Sequence, residues 1–211
     1  MDGALSNLLA LIRSKEAPQG YGQVFGGAKG VNRATDLTTL TISDVLAFQF
    51  EMLRAGSLST ACGGYQFLRK TLINCLVPAG LRMTDRFSPE NQDRLAGVLM
   101  DGRGYKKYLA GTITAEEFAN NLAMEWASLP VVTDMQGAHR KVLKGQSYYA
   151  GDGLNKSHHD PDAYLAAVRA LRTGAVVQPA PTPPPTPTPP LVPSYAPPNW
   201  WTRLKAWFGY A

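Results

Sequence analysis

The sequence predicts a helix-rich α+β domain with one small sheet or hairpin, followed by a proline-rich spacer and a short amphipathic segment. Apolar residues recur at helical spacing in several segments, and only two stretches rich in glycine and aromatic residues interrupt this pattern. Prolines cluster near the C-terminus. With 211 residues, of which 45% are hydrophobic, the chain can bury one ordinary core, so we expect one domain before the spacer.

The first predicted helix precedes Pro18. Four apolar residues follow the i, i+3, i+4, i+7 spacing of one helical face, namely Leu5, Leu8, Leu9 and Ile12. Because a proline disfavours helical geometry in the residue before it, this helix should end near Lys15 or Glu16.

Capping residues predict the starts of four further helices, at Ser43, Ser88, Thr114 and Asp160. The helix after Ser43 should bury a face formed by Leu46, Phe50 and Leu53 and stop at Gly56. The helix after Thr114 should bury Trp126 at its end, either as a core residue or as a platform that stacks on a sugar. Residues 21–27 and 58–68 lack helical period, which predicts the strand and turn structure.

Charge and cysteine content narrow the function classes. The formal net charge is +5, but Lys and Arg are scattered, which argues against a nucleic-acid partner and favours weak attraction to an acidic polymer or a membrane. Cys62 and Cys75, the only cysteines, are expected to be reduced and structural, although a nucleophilic Cys62 was the alternative. The N-terminus lacks a signal-peptide pattern and no apolar run could span a bilayer, so we expect a protein made soluble in the cytoplasm.

Glu16 is the candidate catalytic residue. At a helix C-terminus the exposed carbonyl groups disfavour a carboxylate and raise its pKa, whereas Arg13 and Lys15 would lower it if they face it. An acid that stays protonated among apolar groups can protonate the leaving oxygen of a glycosidic bond. The alternative is a solvated glutamate at a fraying helix end.

Five motifs occur in a fixed order along the chain: "LLALIRSKEA" (8–17), "YGQVFGG" (21–27), "LSTACGGYQFL" (58–68), "FSPENQDRLA" (87–96) and "WASLP" (126–130). In this order they resemble the endolysins of the phage lambda type, which are lysozyme-fold lytic transglycosylases that cut peptidoglycan. The resemblance implies a mostly helical lysozyme fold and a catalytic Glu16 at the mouth of a cleft. It also implies substrate-facing residues in the matching segments and in "KGQSYYAGDGLNK" (144–156): Tyr21, Tyr65, Gln66, Gln146, Tyr148 and Tyr149.

The chain departs from the family at the second carboxylate. Gly22 stands where the resemblance places an Asp, and the next acid, Asp36, is either a loop cap or a replacement carboxylate. With one acid, the 6-hydroxyl of the muramic acid can act as nucleophile and leave a 1,6-anhydro end. A hydrolytic lysozyme with two carboxylates is the alternative.

No cofactor is predicted, and no metal site. "SHHDP" offers His158, His159 and Asp160 as metal ligands, but a helix-capping Asp160 beside surface histidines is the simpler interpretation. "VFGGAKGVN" lacks the Lys and Ser or Thr of a phosphate loop and is interpreted as a turn.

Composition divides the chain into a catalytic domain (1–173), a Pro/Thr-rich spacer (174–198) and a Trp-rich segment (199–211). On a helix, the last segment would gather its apolar rings on one face: Trp200, Trp201, Trp207 and Phe208. This face predicts a membrane surface or a virion protein as partner, or docking on its own domain. Peptidoglycan glycan strands are the predicted substrate. The protein is thus expected to act on the bacterial cell wall, either as a lysis enzyme or as an enzyme carried in the virion. The alternative to an enzyme is a structural or membrane-active virion component that keeps a lysozyme-like fold to bind the wall.

Overall fold

The structure is a computed structural model, and it describes residues 3–152 and 155–173. These residues form helices α1 (Gly3–Glu16), α2 (Ile42–Arg54), α3 (Arg69–Leu76), α4 (Pro89–Gly102), α5 (Tyr105–Leu109), α6 (Ala115–Ala123) and α7 (Pro161–Thr173), a 3₁₀ turn (Leu37–Thr39), and strands β1 (Met135–Gln136) and β2 (Lys141–Val142). The predicted fold class, mostly helical α+β with a small sheet, is confirmed. The spacer and the Trp-rich segment lie outside the described residues.

Helix α1 ends at Glu16, as predicted from Pro18. Its buried face consists of Ala4, Leu8, Leu9 and Ile12, while the predicted Leu5 is half-buried against the core. The helix packs against α7, which in turn packs against α6. The end of the first helix is therefore held by elements from the C-terminal part of the domain.

Helix α2 differs from the prediction in its start and in its buried face. Its N-cap is Thr41 and not Ser43, because Thr41 and Asp44 form a reciprocal capping box. Phe50 and Leu53, expected in the core, are 49% and 51% exposed. Gln49 lies in the core instead.

The position of Gln49 explains the rotated face of α2. Gln49 is fully buried, and its amide Nε2 donates to the carbonyl oxygens of Thr60 and Phe67, each at 2.8 Å. These bonds offset the cost of burying the amide and turn the helix by about one residue relative to its most apolar face.

The predicted starts of α4, α6 and α7 are confirmed by their capping bonds. Ser88 accepts from the N–H of Asn91, Thr114 from that of Glu117, and Asp160 from that of Ala163. Trp126 lies beyond the end of α6 with 3% of its surface exposed, so it is a core residue.

The regular strands do not lie where they were predicted. Residues 21–27 and 58–68 pair only through isolated bridges between Val24 and Cys62 and between Cys62 and Phe67. Residues 63–66 turn so tightly between Cys62 and Phe67 that no longer ladder can form. The two-stranded antiparallel sheet is instead a hairpin in which Met135 pairs with Val142. Within 3–152 and 155–173, no helix combines the length and apolar character needed to cross a membrane.

Candidate active site

The Glu16 carboxylate is turned into the protein at the end of α1. Its Oε1 accepts a hydrogen bond from the backbone N–H of Ser128, 3.2 Å away in the loop after α6. The Gln23 side chain donates to the Glu16 carbonyl oxygen at 3.3 Å, so the chain that follows α1 folds back over the helix end. Glu16 is therefore half-buried and fixed, and is not the solvated residue of a fraying end.

Burial is the main influence on Glu16 ionisation. It raises the pKa of the Glu16 carboxyl above its ordinary 4.5, while the hydroxyl and backbone N–H of Ser128 and the nearby His158 lower it. The Ser128 N–H binds the carboxyl directly, whereas the buried Ser128 hydroxyl lies near it without good hydrogen-bond geometry among the described residues. From the sequence we expect Arg13 to lower the pKa of Glu16 if the two residues face each other. The Arg13 guanidinium pairs with Asp93 instead.

Ser128 and His158 are site residues that the sequence did not reveal. The N–H of His158 donates to the carbonyl oxygen of Ser128 at 2.9 Å, which links the segment before α7 to the loop that contacts Glu16. Both lie in motifs noted in the sequence, "WASLP" and "SHHDP", but nothing local links them to Glu16, from which Ser128 is separated by 112 positions.

The "SHHDP" segment caps a helix. Asp160 accepts from the first turn of α7, and His159 is half-buried with its pKa lowered to about 4 by burial and by the nearby Lys15 and His158. No cluster of three or more potential metal ligands occurs in the described part of the chain. The helix-cap interpretation of Asp160 is confirmed.

Tyr21 and Tyr65 converge on one carboxylate. Both hydroxyls donate to Oδ1 of Asp93 in α4, and the Arg13 guanidinium donates to the Tyr65 hydroxyl at 3.0 Å and lies 4.3 Å from the centre of the Tyr21 ring. Burial and the Asp93 carboxylate raise the pKa of Tyr21 to about 12 and that of Tyr65 further. Both tyrosines are neutral donors at physiological pH.

The two tyrosines differ in their access to solvent. Tyr65 is 2% exposed, with its ring against Phe67 and Trp126, whereas Tyr21 is half-buried. With so little of its surface exposed, Tyr65 packs as a support for Tyr21, and its direct contact with substrate stays a prediction.

Gln66 occupies a strained turn that Gln92 anchors. Gln66 has a φ of +50°, which is uncommon for a residue with a side chain, and its amide bonds back to the Gly63 carbonyl oxygen at 2.9 Å. The fully buried Gln92 accepts from the N–H of Gly64 and donates to the carbonyl oxygen of Tyr21. One side chain of α4 therefore fixes both the Tyr21 loop and the Gln66 turn.

The predicted residues of the 144–156 segment lie behind the Ser128 loop. Ser147 donates to the carbonyl oxygen of Ala127 at 2.9 Å, and Tyr149 donates to that of Met124 at 2.6 Å. Tyr148 stacks edge-on against Tyr149 and is half-buried, and Gln146 uses its side-chain oxygen to accept from Leu143 in a local turn. The segment therefore holds in place the loop whose Ser128 N–H binds Glu16.

Asp36 caps a turn and stays ionised. Its Oδ1 accepts from the N–H and the hydroxyl of Thr38, at 3.0 and 2.7 Å, and these bonds lower the pKa of Asp36. The loop-cap interpretation of Asp36 is confirmed. The same oxygen lies beside Gly22, where an added Cβ would be 3.1 Å from it.

The two cysteines are buried thiols. Burial raises the pKa of Cys62 to about 12 and that of Cys75 to about 11, so neither is a thiolate at neutral pH. The nucleophile alternative for Cys62 has no support in this environment.

A mostly helical domain that holds a half-buried carboxyl with a raised pKa has the features of an enzyme that uses acid catalysis. Comparison with family models makes the class specific: residues 6–153 match the endolysin family, and the chain belongs to it. Endolysins degrade bacterial peptidoglycan for phages, and this protein is accordingly a phage enzyme that acts on the cell wall. Comparisons with curated proteins and with solved structures give no match.

Proposed function

We propose that the protein cleaves the β-1,4 bond between N-acetylmuramic acid and N-acetylglucosamine, with Glu16 as general acid and then general base. The observation that supports this is the Glu16 carboxyl itself, half-buried at the end of α1, with a pKa raised by burial and one oxygen fixed by the Ser128 N–H. A raised pKa leaves more of the carboxyl protonated than in an exposed glutamate at the same pH, and the bond from Ser128 fixes its orientation.

The reaction has two proton transfers and no net change in Glu16. The carboxyl of Glu16 gives its proton to the glycosidic oxygen as the bond from that oxygen to C1 of the muramic acid breaks. The 6-hydroxyl oxygen of the same sugar then bonds to C1, and its proton passes to the Glu16 carboxylate. The product carries a 1,6-anhydro end, and no water is consumed.

Two candidates for a second catalytic acid, Asp36 and Asp93, are occupied with other partners, which favours this one-acid route over hydrolysis. Asp36 is exposed and bonded to Thr38, and Asp93 binds both tyrosines and pairs with Arg13. A hydrolytic enzyme requires a second carboxylate that is free to attack C1 or to activate water.

Mass spectrometry of digested peptidoglycan tests the proposal. We expect muropeptides lighter by one water than the hydrolysis products, with no new reducing ends. New reducing ends would establish the hydrolytic lysozyme instead. Absence of any cleavage by the purified protein would favour a wall-binding virion component without catalytic activity.

Substrate contacts are proposed for Tyr21, Gln66 and Tyr148, which are half-buried on the segments around Glu16. Tyr21 offers a ring edge with a fixed hydroxyl, and amides such as that of Gln66 suit the acetamido groups of the glycan. Gln146 and Tyr149 are proposed as lesser contacts, because their polar atoms already bond to Leu143 and Met124.

A second role is proposed for the C-terminal segment on sequence grounds. Residues 1–173 would form the catalytic domain, 174–198 a spacer, and 199–211 an interfacial helix with a face of tryptophans. Replacing Trp200, Trp201 and Trp207 by alanine in the full chain should abolish co-sedimentation with anionic vesicles while cleavage of isolated peptidoglycan is unchanged. Equal sedimentation of both proteins would remove the membrane role.

A further inference from the structure

The β1–β2 hairpin presents a cationic tip that the proposed reaction does not use. Residues 138–141 are exposed and include His139, Arg140 and Lys141 in succession. Arg140 and Lys141 form no ion pair with any residue that the structure describes. Several other surface cations are paired, as Arg103 is with Glu125.

The hairpin tip is held in place by buried contacts. Val142 in β2 is fully buried, and the Ala138 N–H donates to the carbonyl oxygen of Tyr148 at 2.9 Å. A Cβ at Gly137 would lie 2.5 Å from that carbonyl oxygen, so only glycine allows this close approach. The cations therefore project from a fixed turn and not from a loose loop.

The stem of Arg140 lies against Gly151. A Cβ at Gly151 would lie 3.3 Å from the Arg140 Cδ, and Gly151 has a φ of +114°, a conformation that favours glycine. The nearest acid on this loop, Asp152, accepts hydrogen bonds from Asn155. Asp134, the acid before β1, accepts from the N–H of Lys144.

A short path of contacts connects the hairpin to the catalytic acid. Tyr148, which accepts from the hairpin, follows Ser147, and Ser147 bonds to the carbonyl oxygen of Ala127. The next residue, Ser128, donates to Glu16. The cationic tip thus belongs to the wall of the domain that positions the proton donor.

We propose that the hairpin tip, through Arg140 and Lys141, binds the carboxylates of the peptide stems on the glycan strand that Glu16 cleaves. This inference rests on the proposed function. The glycan backbone of peptidoglycan is uncharged once its lactyl groups carry stems, so the stems supply the negative charges. A stem of five residues reaches up to about 17 Å when extended, far enough to leave the cleavage site and meet a neighbouring surface.

Binding to insoluble peptidoglycan tests this separately from catalysis. The full chain carrying Glu16→Gln would be sedimented with peptidoglycan freed of phosphate-bearing polymers, either native or with its carboxyl groups converted to amides. In the same background, Arg140→Gln with Lys141→Gln removes the tip charges. Lys70→Gln with Lys107→Gln, on exposed lysines that form no ion pair with any described residue, is the control with the same loss of charge.

We expect the tip variant to bind native peptidoglycan about 3- to 10-fold more weakly than its parent, which corresponds to about 0.7–1.4 kcal/mol for the loss of two exposed charge pairs. The control should lose less than about twofold. Amidation of the peptidoglycan should weaken binding by the parent to the level of the tip variant and leave binding by the tip variant unchanged. Rising salt should reduce the difference in binding between the two proteins.

Three results would overturn the proposal: equal losses in the tip and control variants, a tip defect that persists on amidated peptidoglycan, or full binding by the tip variant. An unchanged melting temperature in the tip variant excludes unfolding as the cause. Failure of the proposed reaction would appear elsewhere, as reducing ends in digests by the unsubstituted chain.

Discussion

Replacing Glu16 by glutamine should separate catalysis from stability. Glutamine has nearly the shape of glutamate, and its side-chain oxygen can still accept from the Ser128 N–H, but it has no proton to give. General acid catalysis contributes a factor of ~10² to 10⁴ in rate, or about 2.7–5.4 kcal/mol in the activation barrier. We expect kcat to fall by a factor of ~10² or more, with a smaller change in KM.

The same substitution should not destabilise the fold, and its effect on stability should depend on pH. Because burial raises the pKa of Glu16 above its unfolded value of 4.5, ionisation of this acid costs the native state free energy as pH rises beyond that value. Glutamine does not ionise. Thermal melts of parent and variant should therefore coincide near pH 4, whereas at pH 8 the variant should melt at an equal or higher temperature.

Turnover is measured by the release of soluble muropeptides from purified peptidoglycan, with folding followed by circular dichroism. Gln19→Glu, on an exposed residue near the same helix end, is a control for altered charge that should leave turnover within about twofold. Turnover by Glu16→Gln within tenfold of the parent would refute the assignment of the proton donor, whatever the melting data show.

Four further substitutions test the surroundings of Glu16. Ser128→Ala removes a hydroxyl that lowers the pKa of Glu16, so the alkaline limb of the kcat/KM profile should move to higher pH; a shift to lower pH would contradict the role of Ser128. Asp93→Asn loses charge-assisted hydrogen bonds to two tyrosines and the ion pair with Arg13, so the free energy of unfolding measured in urea should fall by about 1–3 kcal/mol. An unchanged urea midpoint would mean that these contacts contribute little to stability. Asp36→Asn keeps the cap on Thr38, so rate and anhydro product should be unchanged, and a loss of activity would identify it as a second catalytic acid. Gln66→Gly relieves the positive φ but removes the amide, so KM should rise with the melting temperature retained; unchanged kinetics would limit Gln66 to a structural role.

Local signals account for what the sequence predicted well. The end of α1 follows from Pro18, and the starts of α4, α6 and α7 follow from Ser88, Thr114 and Asp160, because a cap or a proline acts within one turn. The placement of Glu16 at the end of α1 follows for the same reason, whereas its choice as catalytic candidate rests on the family resemblance. Its position at a helix end is a local property.

Features that depend on distant partners could not be predicted. Gln49 is polar in sequence, and only the carbonyl groups of Thr60 and Phe67 make its burial favourable. The strands of the hairpin have two residues each, too few for an alternating pattern to be recognised. The burial of Tyr65 likewise depends on Asp93, which lies 28 positions away.

If Glu16 is the proton donor as proposed, its contact with Ser128 also has a consequence for when activity can arise during synthesis. The first helix emerges early, but its acid acquires its environment only after the loop that follows α6 has been made and α7 has packed against α1. Contacts of such sequence separation are costly in loop entropy and form late in folding. A nascent or prematurely terminated chain that lacks α7 therefore carries Glu16 without these contacts, and under the proposed role of Glu16 we expect it to be inactive on the cell wall.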